Sequence, residues 1–354
     1  MIKLHNIKRF LYQLFIAILI SLVATHYLEY YEIKFVMPMR NYIYFGRFSN
    51  SVDDLSDNKI YYKFLEQPVI NPVAVANSAR VEALAILEGQ QAINDSDNSN
   101  IRHKILSTAN VLMNMLEIEQ NNSVTFGRWP YEFDYPYYKI KSPWYSGMAQ
   151  GHGIEVLLAA YILTGEKRYL DNAILAGKAM QIDIANGGTA SKIGNSALWF
   201  EEYASANAEP PFVLNGHIYA LNGLWYLKKY SPEFQNTYEA GVRALKQLLP
   251  RFDKHIWSHY DLAGTPANSK YQRLHVRLLR ELARRERDDF FIRYADKFEK
   301  QIYLPFGFTY RLIVAPGNMI IGLFVVNAIS IFLILNLPRI LKRITHGEKA
   351  QKGQ

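Results

Sequence analysis

The sequence contains no cysteine among its 354 residues, so neither disulfide bonds nor thiolate metal sites can hold the fold together. It also lacks a glycine-rich phosphate loop, a His-Glu-x-x-His zinc helix and a Gly-x-Ser-x-Gly nucleophile elbow. The missing nucleophile motif favours proton-transfer chemistry over acyl transfer. No set of metal ligands is recognisable, and we predict no metal site.

Acidic residues are outnumbered, 32 against 40 basic ones, which gives a formal net charge of +8. This excess makes an acidic partner plausible, whether nucleic acid, anionic lipid or an acidic polymer. Tyrosine is frequent, with 25 residues. Because tyrosine and tryptophan each offer an apolar face and a polar edge, they suit sugar-binding clefts.

The first long apolar run covers residues 10–24 and follows Lys3, Lys8 and Arg9. At about 15 residues it is short for a spanning helix and long enough for a signal-peptide core. No small-x-small cleavage site follows it, so an uncleaved membrane anchor over residues 1–30 is the favoured interpretation.

The second apolar run covers residues 312–337 and is long enough to cross a membrane with some tilt. Pro316 and Gly317 lie near its start, where a membrane helix tolerates them. We predict a transmembrane helix over 305–338, favoured by its length over a buried core helix, and a basic tail over 339–354. Positive charge flanks the outer side of both runs. The positive-inside rule therefore predicts two spans, both termini in the cytoplasm and the rest in a periplasm or lumen.

Helical periodicity dominates the part between the two runs. Residues 31–71 are predicted to be a lead-in, with strand-like aromatic pieces at 41–48 and room for a short hairpin. Residues 72–304 are predicted to carry four helical hairpins, at 76–92 with 101–119, 147–163 with 168–182, 215–230 with 233–249, and 270–287 with 290–303.

The predicted fold class is mainly α, an α/α toroid in the form of an incomplete barrel of hairpins, because no single hairpin can bury its apolar face alone. The three longer connections cover 121–146, 186–211 and 251–269 and are rich in Tyr, Trp, Gly and Asp. We predict short β-strands in them at one rim of the ring, where the cleft would lie.

Four places carry side chains suited to acid–base chemistry or anion binding. Glu201, Glu202 and Tyr203 precede a turn that ends in two prolines, and Tyr260 follows an aromatic stretch. Each of these two places could equally be a solvated turn or an edge residue. The other two places are the pair Tyr271 and His275 and the start of the helix near Gly147.

Tyr271 and His275 lie four residues apart and share one face of a predicted helix. A satisfied core histidine is the alternative there. The helix that begins near Gly147 is rich in small residues, so its free N–H groups could receive an anion, or the glycines could serve close packing.

Together these segments resemble the D-glucuronyl C5-epimerase family, whose members convert glucuronate to iduronate within heparan-type chains. The resemblance covers residues 129–303. The matching segments, in the family's order, are SPWYSGMAQG from residue 142, WFEEY from 199, PFVLNG from 211, LLP from 248, YDL from 260, and Tyr271-x-x-x-His275. The chain departs from animal members in its nearly missing β-rich amino-terminal domains, its shorter link from Tyr260 to Tyr271, and its added carboxy-terminal membrane segment.

The resemblance implies an α/α toroid, catalytic tyrosines at Tyr203, Tyr260 and Tyr271, and a functional glutamate at Glu202. Epimerisation needs a proton carrier on each face of the sugar and hydrogen-bond donors at its carboxylate. We assign Tyr203, with Glu202, to one face and Tyr271 to the other, while Tyr260 and His275 orient and stabilise. The residues assigned to substrate binding are Trp129, Trp144, Tyr145, Gln150, Glu201 and Asn215.

The partner implied is a glucuronate-containing acidic polysaccharide and not nucleic acid, no cofactor is required, and a homodimer stays open. A uronate lyase or hydrolase on the same toroid is one alternative function. A membrane-tethered glycan-binding subunit without turnover is another.

Overall fold

The computed structural model describes residues 2–45, 53–54, 59–60, 62, 64–89, 98–121 and 123–351. Most of these residues are helical. The helices are α1 (Ile2–Phe45), α2 (Pro72–Leu87), α3 (Asn98–Met115), α4 (Gly147–Thr164), α5 (Lys167–Ala179), α6 (Leu214–Leu227), α7 (Gln235–Phe252), α8 (Ser269–Glu286), α9 (Asp289–Tyr303), α10 (Gly307–Val314) and α11 (Asn318–Gln351). The strands are β1 (Asp53–Asp54), β2 (Lys59–Ile60), β3 (Val69–Ile70), β4 (Glu117–Asn121), β5 (Val124–Arg128), β6 (Ala190–Ile193) and β7 (Ala197–Phe200).

Four helical hairpins form the body of the protein, as the sequence predicts. Helices α2 and α3, α4 and α5, α6 and α7, and α8 and α9 pack as pairs. The first helices of consecutive pairs also contact one another, α2 with α4, α4 with α6, and α6 with α8. This layer of first helices carries the inward apolar surface that a lone hairpin would leave exposed.

The contact between α4 and α6 depends on two glycines. A side chain on Gly223 of α6 would place its Cβ 2.5 Å from the backbone of Gly151 in α4, so the helices can cross at this distance only without side chains there. Almost every residue of α4 from Gly147 to Ala160 is buried. A helix that is buried on all sides lies at the centre of a fold, and α4 does so here.

Two of the three predicted rim segments contain or adjoin β-hairpins. Strands β4 and β5 pair antiparallel, and so do β6 and β7. The third segment, 251–269, has only isolated bridges, between Asp253 and Ser258 and between His259 and Pro266. The prediction of a strand in that segment was therefore too regular.

The amino-terminal helix α1 is longer than the expected anchor. It runs from Ile2 to Phe45, so the strand-like interpretation of 41–48 is wrong over 41–45, and 46–48 lie outside the described residues. Strands β1, β2 and β3 form a small antiparallel sheet in order, which provides the short hairpin foreseen in the lead-in. Most of the polar loop at 49–58 is also outside the described residues.

Two prolines act differently from the prediction. The helix predicted over 233–249 stops just before Pro250, but α7 continues through this proline to Phe252. Pro316 and Gly317 were expected inside a membrane helix. In the structure they separate α10 from α11, because proline cannot donate to the preceding turn and restricts the residue before it.

Helices α1 and α11 pack antiparallel. Gln13 near the start of α1 meets Arg339 near the end of α11, and Thr25 meets Asn327. The segments Ile7–Val36 and Asn318–Arg339 are each long and apolar enough to cross a membrane. Few of their residues are buried, unlike those of a core helix.

Candidate active site

An aromatic cavity of about 670 Å³ lies where the connections before α4, after β7 and before α8 meet the start of α11. Among the described residues that line it, tyrosines are the most frequent kind and Arg311 is the only charged one. Its lining consists of Tyr135, Tyr137, Tyr138, Tyr203, Tyr260, Thr265, Pro266, Asn268, Tyr271, Arg311, Ala315, Gly317, Met319 and Ile320.

The end of strand β7 fixes the carboxyl group behind this cavity. Trp199 and Phe200 are fully buried, and Trp199 stacks on His217 of α6 with ring centroids 4.0 Å apart. The backbone N–H of Phe200 donates to Nδ1 of the same histidine at 2.9 Å. This clamp holds the next residues, Glu201 and Glu202, against the start of α6.

Glu202 lies among hydrogen-bond donors. Its Oε1 accepts from the hydroxyl of Tyr260 at 3.0 Å, and its Oε2 accepts from the side-chain amide of Asn215 at 3.1 Å. A side chain on Gly216 would place its Cβ 2.4 Å from Oε2, so glycine is needed there to admit the carboxylate.

Burial raises the pKa of Glu202 to about 7, and hydrogen bonds with Tyr260, Tyr203 and Asn215 offset part of the rise. A carboxyl group with a pKa near neutrality can both accept and release a proton under ordinary conditions. That is the property required of a general acid–base catalyst.

Tyr260 and Tyr271 reach the cavity from neighbouring elements. The backbone of Tyr260 accepts a hydrogen bond from the N–H of Leu214 at 3.0 Å, which ties it to the start of α6 beside Glu202. Tyr271 lies in the first turn of α8, capped by Asn268. The two phenol rings are 4.7 Å apart, and burial raises the pKa of both hydroxyl groups above the ordinary value.

Tyr203 lies in a group of stacked aromatic rings. Its ring is 4.8 Å from that of Tyr135 and 4.9 Å from that of Tyr138, and its hydroxyl lies 3.4 Å from the hydroxyl of Tyr135. Burial raises the pKa of Tyr203 well above the ordinary value. The hydroxyl of Tyr138 donates to the buried carboxylate of Asp261 at 2.6 Å, which orients that ring.

The cationic wall of the cavity comes from Arg311 of α10. Its guanidinium group makes two bonds to Glu29 of α1, at 2.6 and 2.5 Å, and Nε donates to the carbonyl of Gly307 at 3.2 Å. Sequence reasoning missed this residue. The signal for it was a lone arginine at the edge of an apolar run, since charges in such places are rare and tend to be functional.

Tyr135 and Tyr138 were also missed as cavity residues. They belong to the tyrosine-rich connection 121–146, in which the predicted binding residues were Trp129, Trp144 and Tyr145. The bridge between Tyr131 and Trp144 closes this segment into a loop and turns both phenols towards Tyr203. Pairing between residues thirteen positions apart leaves no periodic trace in a sequence.

Three predicted site residues, His275, Trp129 and Gln150, lie away from the cavity. His275 is fully buried beside Ser258, whose hydroxyl lies 3.1 Å from Nδ1, and burial lowers the pKa of this imidazole to about 3. It therefore carries no charge that could assist Tyr271. Trp129 packs in the core under Gly153 and donates to Leu112.

Gln150 also serves the core, where its side-chain amide donates to the carbonyls of Gly127 and Ala176. The start of α4 is closed to an anion. The hydroxyl of Ser146 accepts from the N–H of Ala149, and the N–H of Gly147 donates to a backbone carbonyl. Close packing, the alternative considered from the sequence, is what the structure has there.

The remaining predicted binding residues support the cavity without lining it. Glu201 is buried, burial raises its pKa to about 8, and Oε2 accepts from the N–H of Phe212. Phe212 has a positive φ of 56°, so this bond stabilises a strained turn. Trp144 lies behind Tyr203, with ring centroids 5.4 Å apart. Tyr145 faces Arg128.

The structure thus presents a mainly helical protein with phenols gathered at one cavity and with Glu202, whose pKa is about 7, directly behind them. Within the part of the chain that the structure describes, no three His, Asp or Glu side chains are grouped closely enough to hold a metal ion. A cavity that brings phenols together with the carboxyl group of Glu202 is suited to moving protons.

Comparison with known proteins gives the family. The family model described as "D-glucuronyl C5-epimerase C-terminus" matches residues 122–300, which contain every tyrosine of the cavity. The chain therefore belongs to the D-glucuronyl C5-epimerase family through this carboxy-terminal domain.

Two curated relatives are similar over the same region. An uncharacterized protein of Methanocaldococcus jannaschii is 34% identical over 192 residues, which cover 52% of this chain and 60% of that protein. The D-glucuronyl C5-epimerase of Caenorhabditis elegans is 37% identical over 177 residues, which cover 44% of this chain and 28% of that protein. The matches thus span less than two thirds of either relative.

A solved structure described as "Crystal structure of D-mannose isomerase" aligns with 66% of this chain and 58% of its own, with a TM-score of 0.40 and 16% identity.

Proposed function

We propose that the protein is an isomerase that converts D-glucuronate to L-iduronate residues in an acidic polysaccharide by moving the proton at C5. The observation that carries the proposal is the hydrogen bond between Tyr260 and Glu202 at a cavity lined also by Tyr203 and Tyr271. Family membership supports the same activity, because the matched domain contains these residues.

The chemistry requires a proton carrier on each face of the sugar ring. Tyr203 is assigned to one face and Tyr271 to the other. Glu202 accepts a hydrogen bond from Tyr260 at 3.0 Å, and the rings of Tyr260 and Tyr271 lie 4.7 Å apart. Tyr203 lies close enough to Glu202 to affect the pKa of that carboxyl group. A proton taken at one face can therefore be replaced from the other along this chain of groups.

The raised pKa of each phenol makes a free phenolate costly, and Glu202 removes the need for one. A phenol that accepts the C5 proton can pass its own hydroxyl proton towards the ionised carboxylate at the same time. On the opposite face the other phenol gives its proton to C5 and is reprotonated through the chain. Protons balance over one turnover, and the path runs in both directions, as a reversible epimerisation requires.

Removal of the C5 proton places extra negative charge on the uronate carboxylate, and Arg311 is proposed to stabilise it. A guanidinium group has five N–H groups. Those that donate to Glu29 and Gly307 leave others that can face the cavity. The charge of Arg311 is thus held in place before substrate arrives.

Solvent exchange tests the proposed activity. The purified protein is incubated in deuterated water with a glucuronate polymer of heparosan type, and deuterium at C5 is measured together with uronate composition. We expect incorporation into both glucuronate and iduronate. Tyr203→Phe and Tyr271→Phe should each reduce incorporation strongly, by about 10²-fold or more if each supplies general acid–base catalysis.

Full exchange in both variants would refute the assignment of the two faces. An unsaturated, ultraviolet-absorbing product would instead indicate a lyase, which begins with the same proton removal. Binding of the polymer without any exchange would indicate a glycan-binding subunit.

The wider architecture is proposed as an incomplete α/α toroid held by two membrane spans, with both termini in the cytoplasm. Contacts among α2, α4, α6 and α8 in series support the ring. Antiparallel packing of α1 and α11 supports termini on one side. Because native cysteine is absent, two single-cysteine variants, Lys141→Cys and one in the tail, can be made. Their labelling by an impermeant maleimide on spheroplasts can then be compared. Labelling of the tail alone would overturn this topology.

A further inference from the structure

A second, apolar hollow lies between the two terminal helices. This groove has a volume of about 390 Å³. Asn327 donates to Glu32 at 2.9 Å at one part of its wall, and the other described lining residues are apolar or glycine. They are Phe35, Val36, Met319, Gly322, Leu323 and Val326.

The groove adjoins the aromatic cavity at Met319. Met319 lines both hollows, and Gly317 and Ile320 line the cavity beside it. Met319 lies at the beginning of the segment Asn318–Arg339 that is apolar enough to span a membrane. The sugar-sized cavity therefore lies at the end of the apolar helix pair, and the groove lies next to it between those helices.

A molecule that occupies both hollows has a polar end and a hydrocarbon end. Tyrosine hydroxyls and Arg311 suit a uronate at the polar end, while the groove offers aliphatic and phenyl surface. At Gly322 a Cβ would meet no atom within 4 Å, so the floor of the groove is open at this position.

Resting on the proposed function, we propose that the substrate is a lipid-linked glucuronate glycan whose hydrocarbon chain lies in the groove between α1 and α11. A hydrocarbon chain gains little by leaving other lipid chains, since both surroundings are apolar. The advantage of the groove is position. It confines the sugar near the cavity and raises its effective concentration there.

The experiment uses the full-length protein in lipid nanodiscs and two substrates with the same glucuronate oligosaccharide. One substrate carries a long alkyl chain at its reducing end and the other carries a methyl group. Deuterium incorporation at C5 gives kcat/KM for each. We expect the alkyl substrate to be preferred by about tenfold or more, as tethering predicts.

Gly322→Leu fills the groove. It should reduce kcat/KM for the alkyl substrate by about tenfold, the advantage that tethering supplies, and leave the methyl substrate within about twofold. Ile334→Trp is the matched control, because Ile334 is 67% exposed and lies outside the groove. It should change neither substrate. The thermal unfolding midpoint of each variant in nanodiscs shows whether it folds as the parent does.

Equal use of the two substrates by the parent protein would overturn the lipid-linked substrate, and so would equal loss of both in Gly322→Leu with an unchanged unfolding midpoint. Loss in Ile334→Trp equal to that in Gly322→Leu would assign the effect to bulk lipid contacts and also overturn it. Absence of exchange with both substrates would instead reject the proposed epimerase activity, and the groove proposal with it.

Discussion

The hydroxyl of Tyr260 donates a 3.0 Å hydrogen bond to Oε1 of Glu202, and burial sets the pKa of that carboxyl group at about 7. The pair joins a phenol at the cavity wall to a proton acceptor behind it. A phenol alone, with its pKa raised by burial, would be a poor base at neutral pH. The properties of the site therefore depend on the ionisation of Glu202.

The first prediction concerns the pH dependence of kcat/KM. Because Glu202 must be ionised to accept a proton, activity should rise with pH through about 7 and be lost below it. Glu202→Gln should lower kcat by about 10²–10⁴-fold, and its residual activity should lack this acidic limb. C5 deuterium exchange between pH 5 and 9 provides the measurement.

Glu201→Gln is the matched control for that prediction. Its carboxyl group is adjacent in sequence and also has a raised pKa, of about 8, but Oε2 faces the backbone N–H of Phe212. The glutamine keeps an acceptor for that bond. We expect the acidic limb to stay near 7. If the acidic limb persists in Glu202→Gln, or is lost in Glu201→Gln, the ionisation does not belong to Glu202 and the prediction is wrong.

The second prediction concerns the amide that supports the carboxylate. The side chain of Asn215 donates to Oε2 of Glu202 at 3.1 Å, and this bond favours the ionised form. Asn215→Ala should raise the pKa of Glu202 further and move the acidic limb of the rate profile to higher pH. Asn222→Ala, on the same helix but bonded to Arg285, should leave the limb in place. An unshifted limb in Asn215→Ala contradicts the role.

Much of the helical scaffold could be predicted because its pattern is local. Pairs such as α4 with α5 are predicted by apolar spacing and by a turn at Gly165. This glycine caps α4 with a φ of 70°. The end of α7 was misjudged because Pro250 lies in the last turn, and the helix continues through it to Phe252. The end of α1 was misjudged because aromatic residues near Tyr42 suit strands as well as helices.

The site could be predicted only in part. Glu202, Tyr203, Tyr260 and Tyr271 were singled out from the sequence, and the resemblance gave them catalytic roles. They do meet at one place. The helical face shared by Tyr271 and His275 was too coarse a guide, since the imidazole turns to Ser258. Arg311 was missed because its position depends on the contact of α10 with Glu29 of α1, a pairing between distant parts of the chain that leaves no periodic signal.

The third prediction separates stability from catalysis at His275. Burial holds its pKa at about 3 in the folded protein, below the ordinary 6.5 of the unfolded chain. The unfolded state therefore binds the extra proton below pH 6.5, and this residue costs stability as pH falls from about 6.5 to about 3. The cost approaches about 1.4 kcal/mol per pH unit for one proton.

His275→Gln should reduce the slope of the unfolding free energy against pH by the contribution of about one proton. It should keep exchange activity near the parent level at pH 7.5. Denaturant unfolding between pH 4 and 7 in detergent measures the slope. His103→Gln, at an exposed position on α3, is the control and should leave it unchanged. A large loss of exchange activity in His275→Gln with normal stability would restore a direct role for the imidazole.

The fourth prediction concerns the buried ion pair of Glu29 and Arg311, whose side chains are 1% and 2% exposed. Replacing one partner leaves an uncompensated buried charge, so Glu29→Leu alone should destabilise the protein by about 3–5 kcal/mol. The double variant Glu29→Leu/Arg311→Leu should recover most of that loss, because apolar replacements of a buried pair are often neutral. The partly exposed pair of Arg280 and Glu299 at the surface should contribute only about 0–1 kcal/mol when removed.

Activity then distinguishes a structural pair from a substrate contact. If Arg311 only joins α10 to α1, the double variant should regain exchange activity together with stability. If Arg311 also meets the uronate carboxylate, as proposed, the stable double variant should keep a raised KM for a soluble glucuronate oligosaccharide. Recovery of both quantities would show that the carboxylate is held elsewhere in the cavity, by the phenols alone. Recovery of stability without affinity is the outcome that we expect, because the double variant has no cation at the cavity wall.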